Sequence, residues 1–178
     1  MKHILREPSD EGTFEQWVDD ISEAGLLCTE YKTKVGMSMS NKQLIDIAMD
    51  ANGMTYLCKM AGKGYGLPYS VITSRFAPFI NGRYVSRHRS KNGREYTSAI
   101  YCRYDGLIDD AKVTLLTILG SKCTIEVSPY HVIRVYVDSK SDVDIKCPET
   151  SEAYVEYWGV PKIGAHGARN NITLIAND

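Results

Sequence analysis

Ser141-Asp142-Val143-Asp144-Ile145, Ser151-Glu152-Ala153-Tyr154-Val155 and Asn170-Asn171-Ile172-Thr173-Leu174 share one pattern, a polar start followed by alternating apolar residues. Successive side chains of a strand point to opposite faces, so this alternation predicts short, half-buried strands. The same period extends back toward the N-terminus. His131 to Asp138 places Ile133, Val135 and Val137 on one face, and Cys123 to Val127 and Lys112 to Leu119 read as further strands, punctuated by Gly120 and Pro129. Arg83 to His88 and Glu95 to Tyr104 form a hairpin through Lys91-Asn92-Gly93, and Asp105-Gly106 reads as a second turn.

Upstream of Gly82 the period is helical. Thr13 with Gln16, and Ser40 with Gln43, have the spacing of capping boxes. Phe14, Val18 and Ile21 make one apolar face, with Gly25 as a stop. Leu44, Ile47, Ala48 and Ala51 make another, closed by Asn52-Gly53 in a left-handed cap. A short turn from Met54 to Met60 precedes Gly62-Lys63-Gly64-Tyr65-Gly66. Pro68 starts a third helix faced by Val71, Ile72 and Phe76, and Pro78 is expected to end it near Ala77.

The chain therefore reads as α+β. N-terminal helices (about 13–80) precede a β-rich part (about 82–175), so residues 1–81 and 82–178 are two regions of one compact unit. Alternation alone leaves three arrangements for the strands: jelly-roll-like, meander, or a short β-solenoid stack. The three quoted segments, covering about thirty-five residues, resemble the stacked short strands of β-solenoid segments, including those of phage and gut-bacterial surface proteins.

At 43% hydrophobic and 24% charged the composition is that of a folded domain, which excludes wholesale disorder. No run of eighteen apolar residues occurs, so no membrane-spanning helix is expected, and the N-terminus does not read as a secretory signal. The five cysteines (Cys28, Cys58, Cys102, Cys123 and Cys147) lie far apart in sequence, which excludes a paired metal or redox motif. An odd number of unpaired thiols fits a reducing compartment, cytoplasmic or within a virion, and most fit as small core residues. A cysteine nucleophile with His88 or His131 as base has no support in the spacing.

Charge is segregated along the chain. Residues 1–70 carry 7 basic and 10 acidic groups, residues 71–104 carry 7 against Glu95 alone, and residues 105–178 carry 7 against 11. Near-neutrality thus conceals a +6 block between acidic flanks. Aromatics interleave that block, and tyrosine is unusually frequent, at twelve against three Phe and two Trp. The candidate partner-binding residues are Arg75, Arg83, Tyr84, Arg87, Arg89, Lys91, Arg94, Tyr96 and Arg103. Arginines beside rings suit single-stranded nucleic acid, and they equally suit an acidic protein surface.

The remaining motifs read as structural. Gly62-Lys63-Gly64-Tyr65-Gly66 lacks the Walker pattern and reads as a chain reversal. Asp138, Asp142 and Asp144 lack the glycine and glutamate of a calcium loop, and Asp109-Asp110 reads as turn charge. His3, His88, His131 and His166 have no zinc-ligand spacing, and the Asn171-Ile172-Thr173 sequon reads as strand. No catalytic residue, cofactor or metal is assigned. The expected function is a non-enzymatic interaction or structural protein acting through a protein surface, self-associating, in a phage or mobile-element setting. The alternative is nucleic-acid binding through residues 75–103.

Overall fold

The computed structural model describes residues 11–27, 29, 40–48, 53, 56, 57, 60, 63–80, 82–89, 92–168 and 170–177. Helix α1 (Phe14–Glu23) begins at a capping box. Gln16 N donates to Thr13 Oγ1 at 3.1 Å, and Thr13 N donates to Gln16 Oε1 at 2.9 Å. Its buried stripe is Phe14, Trp17 and Ile21, with Val18 half-buried beside it. Helix α2 (Asn41–Ala48) follows Ser40, whose hydroxyl accepts from Gln43 N at 3.3 Å, and it buries Leu44 and Ile45. Gly53 is helical rather than a left-handed cap. The expected cap residue Asn52 lies outside the described residues.

The third helix does not end near Ala77. Tyr69–Val71 (α3) passes through a π-helical turn, Ile72–Phe76, into Ala77–Ile80 (α4). The core positions explain the wider turn. Val71 and Ile72 precede Phe76 and Ala77 by five residues, too far for one α-turn to keep them on one face. The i→i+5 bond from Ala77 N to Ile72 O brings all four inward. It also moves the hydrogen-bond register ahead of Pro78, whose ring obstructs an ordinary α-helical turn.

Among the described residues ten strands follow: β1 (Gly82–Arg89), β2 (Glu95–Cys102), β3 (Asp105–Ile108), β4 (Leu115–Leu119), β5 (Lys122–Glu126), β6 (Val132–Val137), β7 (Asp142–Cys147), β8 (Glu152–Trp158), β9 (Lys162–Gly167) and β10 (Ile172–Asn177). They form two sheets, β1-β2-β4-β6-β8-β10 and β3-β5-β7-β9. Among the described residues only β1–β2 pairs antiparallel, and the other seven pairings are parallel. A jelly-roll pairs neighbours antiparallel, so that expectation is corrected. From β2 onward the chain alternates between the sheets and winds as a short two-sheet solenoid, with the β1–β2 hairpin as its entry.

Two strands that the sequence did not suggest complete the winding. The strand expected to run on to Tyr104 stops at Cys102, and the chain turns at Arg103, which has a positive φ of 49°. Asp105-Gly106 then opens β3 instead of forming a turn. Tyr104 lies over Gly106, crowding the position a Cβ would take, and its hydroxyl donates to Leu107 O at 3.1 Å. The second is β9, whose glycines concealed its alternation.

Two cores result. Inside the coils, side chains stack in rows set by the register: Ile108, Ile125, Ile145 and Ala165 in one sheet, and Ala99, Leu116, Val135, Val155 and Leu174 in the other. The second core lies on the outer face of the first strands, where Ile100, Cys102 and Leu119 meet Phe14, Ile21, Ile72 and Phe76. Helical region and solenoid thus share one buried cluster.

Neighbouring coils are also tied by side chains at their corners. His131, Ser151 and Asn171 occur every 20 residues. His131 Nε2 contacts Val113 O at 2.7 Å, Ser151 Oγ donates to Ser128 O at 2.7 Å, and Asn171 Nδ2 donates to Cys147 O and Pro148 O. Turn carbonyls that the ladders cannot pair are satisfied in this way. At the opposite corner, Ser121 N donates to Ser141 Oγ, which donates to Asp138 Oδ1 at 2.5 Å. Asp138 also accepts from Gly120 N at 3.1 Å, and burial raises its pKa from the ordinary carboxylate value.

Candidate interaction surfaces

The strand register divides the nine residues expected to meet a partner. Gly82 pairs with Cys102, so Tyr84 and Tyr96 lie on the face toward the helices, whereas Arg83, Arg87 and Arg89 lie on the other face. Tyr84 and Tyr96 therefore do not share a face with these arginines, and the ring that does, Tyr101 opposite Arg83, is buried. Tyr84 donates to Asp46 Oδ1 at 2.6 Å, a bond that raises its pKa, and its ring lies 6.1 Å from Phe79.

Several of the arginines are also engaged locally. Arg75 bonds Glu15 at 3.2 Å and Asn41 at 3.2 Å, and its guanidinium sits 5.0 Å from the Phe14 ring centroid. Arg83 pairs with Asp110. Arg89 pairs with Glu95 at 3.2 Å, both largely exposed, a contact of small energetic value. Arg87, Arg94 and Arg103 are exposed, and Lys91 lies outside the described residues. The +6 block of the sequence is thus partly neutralised by the acidic segments that flank it.

The other motifs take structural places. Lys63 and Tyr65 donate backbone bonds to Met60 O, and Tyr65 O accepts from Trp17 Nε1 at 2.7 Å, so the described part of the glycine-rich segment reverses the chain against α1. Asp110 fixes a turn by accepting from Lys112 N, and Asp144 pairs with His166 at 2.8 Å. Cys102, Cys123 and Cys147 are buried and unbridged. Burial pushes the Cys102 and Cys123 thiols up to about 12, which keeps them protonated and poorly nucleophilic. His131 is held at its coil corner by its contact with Val113 O. Cys28, Cys58 and His3 lie outside the described residues. Among the described residues, no group of three or more His, Cys, Asp or Glu is arranged to hold a metal ion, and no helix is long and apolar enough to cross a membrane.

A second surface was missed from the sequence. Among the described residues, β9 and β10 are the last strands of their sheets, each paired on one side only. The interior rows surface there: Leu174 is 46% exposed, Ile175 beside it 36%, and Ala165 and Gly167 are exposed as well. The available signal was Ile172-Thr173-Leu174-Ile175-Ala176-Asn177, six residues with no charge and no proline. Strand edges are ordinarily blunted by charge, proline or a covering element. The opposite end follows that rule, since edge strand β1 carries Arg83, Arg87 and Arg89. Comparisons with protein-family models, with curated proteins and with solved structures return no match for this chain.

Proposed function

We propose that this protein is a non-catalytic interaction module that works through protein–protein contact at the β9–β10 end of its coil stack. The observation that carries the reading is the pair of unpaired parallel edges at one end, enclosing an exposed apolar row. Such an edge offers main-chain donors and acceptors for strand addition, and apolar positions between them for specificity. The corner tie at Asn171 supports it, because it fixes the start of β10 against the end of β7. The phage or mobile-element setting belongs to this proposal on the strength of the sequence resemblance alone.

Nucleic-acid binding through residues 75–103 is the competing surface, and a mobility-shift titration separates the two. With single-stranded DNA and RNA oligonucleotides at low salt, no shift is expected. A shift that weakens with salt and is lost in Arg87→Ala/Arg94→Ala would overturn the protein-contact reading.

A further inference from the structure

The geometry points to a second copy of this chain as the occupant of the open end, joined through a two-fold axis parallel to the strands. The inference rests on the protein-contact reading above and names the partner for that surface.

The coil itself fixes the register. β9 (162–167) and β10 (172–177) run in opposite directions on either side of a four-residue corner, so Gly167 lies across the coil from Ile172 and Lys162 from Asn177. A two-fold axis along the strands places the second copy's β9 antiparallel to β10 with the same correspondence. Three interior pairs then form between chains: Ile163 with Ala176, Ala165 with Leu174, and Gly167 with Ile172. Each joins a large side chain to a small one, and the symmetry repeats the set on the other sheet, so both rows close without two large groups colliding. On the outer faces Lys162 meets Asn177, Gly164 meets Ile175, and His166 meets Thr173, so no like charges are opposed. The alternative two-fold, perpendicular to the sheets, sets β9 on β9 and brings Gly167 and Ala165 together with only Ile163 to fill the space.

Charge on the outer sheet face agrees. The row Asp105, Lys122, Asp142, Lys162 alternates in sign from coil to coil, and Lys146 pairs with Glu126 at 3.0 Å. A neutral Asn177 beside Lys162 continues that row without repulsion. Two six-residue strands are about 20 Å long, and sheets about 10 Å apart with their side chains give an end face of about 400 Å² per copy. The total, about 800 Å², lies well below the about 1,200–2,000 Å² of stable specific interfaces, so the dimer is a weak one that relies on main-chain pairing along both edges and forms in a concentration-dependent manner.

Light scattering and sedimentation of the full chain from about 1 µM to about 500 µM test this, a span suited to an interface of that size. The expected result is a monomer–dimer equilibrium insensitive to salt, with dimer mass lost in Leu174→Lys while circular dichroism and melting temperature stay those of the wild type. A second variant reads the register independently of Leu174. His166 and Thr173 lie on opposite outer faces of their own coil, beyond disulfide reach within one chain, so His166→Cys/Thr173→Cys is expected to oxidise to a dimer whose peptide map joins positions 166 and 173. A monomer at every concentration overturns the inference. So does a dimer untouched by Leu174→Lys and lacking the 166–173 bridge, or a mass above the dimer. Absence of self-association without oligonucleotide binding would leave the protein-contact reading in place with a different partner. Oligonucleotide binding sensitive to the arginines would remove the reading itself.

Discussion

Asn171 holds Cys147 by its carbonyl. The amide Nδ2 at the start of β10 donates to Cys147 O at 3.0 Å and to Pro148 O at 2.7 Å, at the end of β7 one coil earlier. Both carbonyls lie at a turn where no ladder bond is available, and Asn171 itself is buried. Asn171→Ala removes both bonds; Pro148 O keeps the bond from Ser151 N, so the loss falls on the Cys147 carbonyl and is expected to cost about 1–3 kcal/mol. Asn171→Asp is expected to cost more, because it sets a carboxylate against two carbonyl oxygens. Urea midpoints of the three proteins check the order. The same bonds place the sequon nitrogen in use inside the fold.

Position along the solenoid sets the cost of truncating a row. Ile145 has neighbours on both sides, Ile125 and Ala165, and is fully buried, so Ile145→Ala is expected to cost about 2–5 kcal/mol. Leu174 belongs to an equivalent row but has only Val155 beside it, and Leu174→Ala in the monomer is expected to cost under about 1 kcal/mol. Chemical denaturation at low protein concentration measures both.

Asp138 gives stability a pH dependence of defined sign. Burial raises its folded pKa above the ordinary 3.8, so between those two values the native state holds a proton that the unfolded chain releases. Its contribution is full below the unfolded value and is lost as pH rises through the folded one. Asp138→Asn removes that titration. The difference in unfolding free energy between wild type and variant is therefore expected to shift against the wild type as pH rises through this window, and to be flat outside it. Urea titrations at a series of pH values test the sign.

Thiol labelling reports on the two cores. Cys102 faces the helices, with its thiol 3.7 Å from Ile72 O, whereas Cys123 lies inside the coils. With both pKa values pushed up to about 12, neither is expected to react with a disulfide reagent in the native protein near neutral pH. Both are expected to react in guanidinium, and peptide mapping of the label identifies each site. Native labelling of Cys102 without Cys123 would show that the helices separate from the solenoid.

Much of this fold was legible because alternation is local. Eight strands and both capping boxes follow from side-chain period and hydrogen-bonding chemistry within a few residues. The pairing was not legible, because it depends on a 20-residue repeat that the residues barely display. Between 122–141 and 142–161 only Ile125/Ile145 and Val135/Val155 are identical. A solenoid row needs a side chain of fitting volume rather than a particular one, so Cys123, Val143 and Ile163 share a row without resembling a repeat. β3 and β9 were hidden by Gly106, Gly164 and Gly167, which elsewhere mark turns. In the basic block, charge counting located the arginines but not the acidic groups they meet. Arg83 meets Asp110 and Arg75 meets Glu15 only through the fold.

The spacing of the corners makes chain length an axial ruler. From β5 to β9 every coil consumes 20 residues and advances the stack by one strand separation, about 4.8 Å. Excising residues 142–161 joins Ser141 to Lys162 with inward and outward positions unchanged and a polar residue still at each corner. The product is a molecule one step shorter with the same terminal strands. Reach can thus be adjusted in whole steps while the β9–β10 end is preserved.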